Sequence, residues 1–140
     1  MRRAAGRRGS ALVEFALAWP IALIVVLVTV QAAVWASEAY AARAASLAGA
    51  RAGTVVGGSS SVASVVARTA LASSLIGVVP AAWCPGMSSV APQVWVCAVD
   101  LGGEMEVDVG GSAPAIVPLV PGGGLPVRAH VVLQKEAFAR

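Results

Sequence analysis

At 140 residues the chain has room for one domain at most besides a membrane segment. Hydrophobic residues make up 58% and charged residues 12%, against about 45–50% and 25% in soluble domains, so an ordinary soluble composition is excluded. The formal net charge of +3 comes largely from Arg2, Arg3, Arg7 and Arg8. No basic patch with interleaved aromatics follows downstream, so nucleic acid is not an expected partner.

Residues 1–9 form a basic leader. Residues 15–37, between Glu14 and Glu38, contain no ionisable side chain. As an α-helix that run spans about 35 Å, enough to cross a hydrocarbon core of about 30 Å. It reads as a transmembrane helix in contact with membrane lipid. By the positive-inside rule the leader lies in the cytoplasm and the rest beyond the membrane. A cleaved secretory signal is the competing reading, with small residues at Ala32, Ala33 and Ala36 as its cleavage region. Signal cores are only about 7–15 residues long, and this run is much longer.

Glu14 stands at the head of the apolar run, where an unpaired carboxylate is costly. It lies five residues after Gly9. Cleavage after Gly9 would make Ser10 the first residue and Glu14 the fifth. This arrangement resembles the type IV prepilin processing site, in which a basic leader, a glycine and a glutamate precede an apolar helix. The new α-amino group of Ser10 is a cation that the Glu14 carboxylate of a neighbouring subunit would neutralise. Type IV pilins usually begin their mature chain with phenylalanine, and Ser10 departs from that pattern.

Pro20 falls inside the apolar run, where a proline is tolerated in lipid and normally kinks the helix. Alanine-rich sequence extends the helix to about Gly53. Ala41, Ala45, Gly49 and Gly53 recur at i+4 and form a small-residue stripe open to close approach by another helix, although simple alanine richness gives the same pattern. Residues 54–61 read as a Gly/Ser linker. Ser61 is the expected N-cap of a second helix over Val62–Ile76, stopped by Gly77. Its apolar face comprises Val62, Val65, Val66, Thr69, Ala72 and Ile76.

Pro80 and Pro85-Gly86 bracket a turn region with Trp83 and Cys84. From Gln93 the period becomes two, with Trp95, Cys97, Val99 and Leu101 expected on the inward face. Gly102-Gly103 is a two-residue hairpin turn before the alternating strand Glu104–Val109. Residues 110–126 read as a long Gly/Pro loop. Val127–Lys135 alternates again, with Val127, Ala129, Val131 and Leu133 inward. The expected fold is α+β: a long N-terminal transmembrane helix extended beyond the membrane (10–53), then a domain over 62–140 in which a second helix covers a small antiparallel sheet. Arg128 and His130 share its solvent face with Glu104, Glu106 and Asp108.

The single histidine and the two cysteines lack the spacing of a zinc site, so no metal is expected. No cofactor is expected either. Ser88 and Ser89 lack a G-x-S-x-G context, and no glycine-rich run precedes a lysine. An enzyme is therefore not the expected reading. Cys84 and Cys97, both beyond the membrane by the orientation above, are expected to form a disulfide.

Gly9-Ser10-Ala11-Leu12-Val13-Glu14-Phe15-Ala16-Leu17, with Pro20 and a helix running out of the membrane, resembles the TadE-like family of pseudopilin-type proteins of the tight-adherence (Tad) pilus machinery. The tail, Leu125 to His130 and Lys135 to Arg140, is similar to actinobacterial members. The resemblance covers both ends of the chain and not its middle. It implies maturation by a prepilin peptidase at Gly9/Ser10. It also implies a role for Glu14, next to Phe15, in processing or assembly, with Tad assembly proteins and pilin subunits of a Flp-type pilus as partners. A membrane-tethered binding module unrelated to pili, using the loop over 110–126, is the alternative.

Overall fold

The computed structural model describes residues 5–74, 78–114 and 124–135, side chains at 5–10, 113 and 114 excepted. Among these residues lie helices α1 (Ala5–Thr54) and α2 (Ser60–Ala72). They also contain strands β1 (Ala81–Ala82), β2 (Val94–Asp100), β3 (Glu104–Pro114) and β4 (Gly124–Gln134). The class is α+β with one long helix, as expected.

Helix α1 runs unbroken through Gly9, Ser10 and Pro20 and has two different halves. Side chains 11–30 are all exposed, whereas from Gln31 onward one side becomes buried. In that second half Ala42, Ala45, Ser46 and Ala50 are at most 1% exposed. The small-residue stripe is a packing surface. A Cβ on Gly49 would lie 2.7 Å from both the Ala63 carbonyl oxygen and the Ala67 Cβ. One on Gly53 would lie 2.8 Å from Met105 Cγ. The first brings two helix backbones closer than larger side chains permit, and the second seats the Met105 side chain of β3 against the helix.

The α2 boundaries and facing differ from expectation. Its N-cap is Ser59, whose backbone is extended (φ −147°, ψ 166°) and whose Oγ accepts from Val62 N at 3.3 Å. The three consecutive serines at 59–61 each satisfy the capping preference. The tight turn after α1, closed by Gly58 N donating to Val55 O at 2.8 Å, selects the first. The helix ends with Ser73 as C-cap; Ile76 and Gly77 lie outside the described residues. Its buried face is Ala63, Ala67 and Leu71, while Val62 and Val65 are exposed. The valine face is apolar, but it is too bulky for the narrow gap above Gly49, so the alanine face turns inward.

The sheet order is β1-β2-β3-β4, antiparallel except for a two-residue parallel pairing of β1 with β2. That edge pairing is a correction to the all-antiparallel expectation. The facing of β2 is a second correction: Val94 and Val96 point into the core, and Val99 and Leu101 are exposed. Positions 94–99 are all apolar, so alternation alone leaves the phase undetermined. Cys97 is nevertheless buried, on the other face. The predicted hairpin is present, with Gly102 at φ +85°, Leu101 N donating to Glu104 O at 2.9 Å, and Asp100 Oδ1 accepting from Gly102 N.

Much of the expected 110–126 loop is strand. Gly110 pairs with Arg128, and the ladder continues to Pro114 opposite Gly124. The middle of that segment lies outside the described residues. Val127, Ala129, Val131 and Leu133 face inward as expected, packed against buried Met105, Val107 and Val109. Helix α2 covers β2, as expected, and helix α1, on which α2 packs, covers β3 and β4. Each fully buried large side chain, such as Leu71 or Met105, contributes about 1.5–3 kcal/mol.

Candidate functional site

Three surfaces hold the residues singled out in the sequence. The first is the uncovered half of α1. One helix among the described residues, within Ala11–Thr54, is long and apolar enough to cross a membrane. Leu12, Phe15, Leu17 and Ile21 are each more than 60% exposed, and Phe15 stacks on Trp19 one turn later at 5.9 Å between ring centroids. The hydroxyls of Thr29 and Ser37 turn back to the helix's own backbone. Thr29 Oγ1 donates to Val26 O at 2.8 Å and Ser37 Oγ to Val34 O at 2.7 Å. Such internal pairing is compatible with an apolar surrounding. Glu14 is exposed at the head of this surface. Gly9 and Ser10 lie within the helical backbone just before it.

The second surface is the junction between α1 and the sheet. Trp35 Nε1 donates to Pro126 O at 3.2 Å, tying the start of β4 to the helix. One turn on, Glu38 borders a cavity of about 10 Å³, with Ala42, Leu71 and Val94 among its walls. Its Oε2 is shielded and has no hydrogen-bond partner among the described residues. Neither feature was found from sequence, because Trp35 and Pro126 are 91 residues apart.

The third surface is the outer face of the sheet. Cys84 and Cys97 form the expected disulfide, with Cα atoms 4.7 Å apart. Trp83 crosses Trp95 edge-on at 5.3 Å, and its Nε1 donates to Ser89 O at 3.2 Å. Trp95 lies over Gly110, where a Cβ would collide with the indole. Beyond the tryptophans, Pro85, Ala91, Arg128 and His130 border an open groove of about 570 Å³.

At the edge of that groove, β3 and β4 bring together the charged residues expected on the solvent face. His130 pairs directly opposite Asp108 in the ladder. Its Nδ1 lies 2.6 Å from Asp108 Oδ1 and 3.6 Å from Glu106 Oε1. The hydrogen bond to Asp108, followed by the Asp108 charge, raises the His130 pKa above its ordinary value, and the Glu106 charge adds to this. The expected cross-strand pairing is present for His130.

The disulfide was therefore legible as a pairing, and the solvent-face charges as residues sharing one face, with the partner of His130 fixed by the strand register. The Trp83–Trp95 clamp was not, because it requires β1, a strand of only two residues. No protein-family model, curated protein or solved structure matches this chain.

Proposed function

We propose that the chain is a TadE-like, pseudopilin-type subunit that takes part in assembling or anchoring a Tad (Flp-type) pilus. Residues 15–37 sit in the cell membrane, the leader faces the cytoplasm, and the domain of α2 and the sheet projects from the other side. The observation that carries this reading is the five-residue step from Gly9 to Glu14 at the head of a helix whose side chains 11–30 are all exposed. In this role a prepilin peptidase cuts between Gly9 and Ser10, and Glu14 meets the peptidase or the Ser10 amino group of a neighbouring pilin subunit. Lipid, and then partner helices, cover the surface that includes Phe15.

Mass spectrometry of the protein purified from its host tests the reading. The expected mature chain begins at Ser10. A retained Met1, or a start near Ala33 or Ser37, overturns it.

A membrane-anchored binding module unrelated to pili is the second reading, favoured by the open groove beside Trp83 and Trp95. An intact leader together with normal export would favour it over the first.

A further inference from the structure

We propose that Glu106, Asp108 and His130 form a binding site for a divalent transition-metal ion on the outer face of the sheet. One donor atom from each of the three side chains lies within 4.8 Å of the other two. The set arises from strand geometry. Glu106 and Asp108 are alternate residues of β3 and so share a face, and the antiparallel register sets His130 opposite Asp108.

The donor chemistry fits Zn²⁺ and its neighbours, which bind imidazole nitrogen and carboxylate oxygen. At metal–ligand distances of about 2.0–2.1 Å, tetrahedral donors are spaced about 3.3–3.4 Å apart. The two distances from His130 Nδ1, 2.6 Å and 3.6 Å, fall on either side of that spacing. All three side chains are at least partly exposed, so small χ rotations bring the donors into place without moving the strands. An ion would replace the proton now shared between His130 and Asp108. Three protein donors leave a fourth position open to water, beside the groove bordered by Trp83, Trp95 and Arg128.

His130 is the chain's only histidine, so its imidazole reports on the site without ambiguity. The test titrates ZnCl₂ into the tag-free full chain in detergent micelles. Calorimetry measures binding, and ¹⁵N NMR of labelled histidine follows the ring. The expected result is saturable 1:1 binding with a shift of the imidazole nitrogens. Both His130→Gln and Asp108→Asn should weaken binding tenfold or more. Glu104→Gln, on the same face but outside the set, should leave it unchanged. All three substitutions are on the solvent face, and circular dichroism checks that the fold persists. An unmoved imidazole signal, or a His130→Gln protein that binds Zn²⁺ as the parent does, would mean an adventitious ion only and overturn the proposal. A dissociation constant weaker than about 1 mM overturns it as well.

Discussion

Gly49 of α1 and Ala63 of α2 meet backbone to backbone: a Cβ added at 49 would lie 2.7 Å from the Ala63 carbonyl oxygen. This contact sets the spacing of the two helices, and with it the position of α2 over β2. It also explains why α2 buries Ala63, Ala67 and Leu71 and leaves Val62 and Val65 exposed.

The first prediction follows from that contact. In an exposed helix, Gly→Ala stabilises by about 1 kcal/mol through propensity. At Gly49 the new methyl meets a backbone oxygen and a second methyl, neither of which can rotate away. Overpacking of this kind costs about 1–3 kcal/mol, so the collision outweighs the propensity gain. Gly49→Ala should therefore lower stability in chemical denaturation, and Gly49→Val should lower it further. A gain in stability for Gly49→Ala would show that the helices are free to separate.

The disulfide gives a second prediction. Cys84 and Cys97 are 13 residues apart, and closing a loop of that size contributes about 3 kcal/mol by the chain-entropy estimate. The bond also holds Trp83 against Trp95 at the sheet edge. The double variant Cys84→Ser, Cys97→Ser should lose about that much stability and shift its tryptophan fluorescence. Alkylation of the parent before reduction should label neither thiol. Labelling of both would show that the bond does not form.

The parts of the fold that were legible from sequence are those where one physical signal dominates. The ionisation-free run gave α1, the Gly102-Gly103 pair gave the hairpin, and alternation with charged outward positions gave β3 and β4. Where two signals coincided, the reading failed. Positions 94–99 are apolar on both faces because the core lies beneath one and the Trp83–Cys84 segment covers the other. Local apolarity therefore could not reveal that Val96, and not Cys97, faces the helices. The glycines and prolines at 110–126 signalled a loop. Gly110 instead makes room for the Trp95 ring within a strand, a tertiary reason invisible locally. For the candidate sites, the disulfide was readable because Cys84 and Cys97 are the chain's two cysteines and so offer a single intramolecular pairing. The His130 cluster needed the register of two strands.

The turn between β2 and β3 predicts an acid-dependent effect. Asp100 receives a hydrogen bond from Lys135 Nζ and another from Gly102 N, and these, with the Lys135 charge, lower its pKa below the ordinary 3.8. A carboxylate whose folded pKa is depressed adds stability above its unfolded pKa, and that stability is lost as pH falls through the folded value. Asp100→Asn should therefore lower the melting temperature at neutral pH. The gap to the parent should narrow on acidification below about pH 4. A gap constant from neutral to acid pH would mean that the carboxylate's charge contributes nothing and only the turn geometry counts.

The last prediction separates the two chemical roles available to Glu14. If its carboxylate only marks the membrane interface, neutralising it relieves the cost of holding a charge at the edge of lipid, and nothing else changes. If it pairs with the Ser10 amino group of a neighbouring subunit, neutralisation removes one half of an ion pair in a low-dielectric surrounding. The orphaned ammonium is then the larger penalty: breaking a buried pair by removing one partner costs about 3–5 kcal/mol. Glu14→Gln keeps size and shape, so membrane insertion, driven by residues 15–37, should be as in the parent. Under the pseudopilin reading the variant should be extracted from the membrane fraction in normal amount, yet processing or pilus assembly should fall at least tenfold. Glu14→Asp, which keeps the charge on a shorter stem, should recover part of the loss. Immunoblotting of membrane fractions against sheared surface filaments distinguishes the outcomes. Filaments at parental level from the Glu14→Gln strain would reduce Glu14 to an interfacial residue.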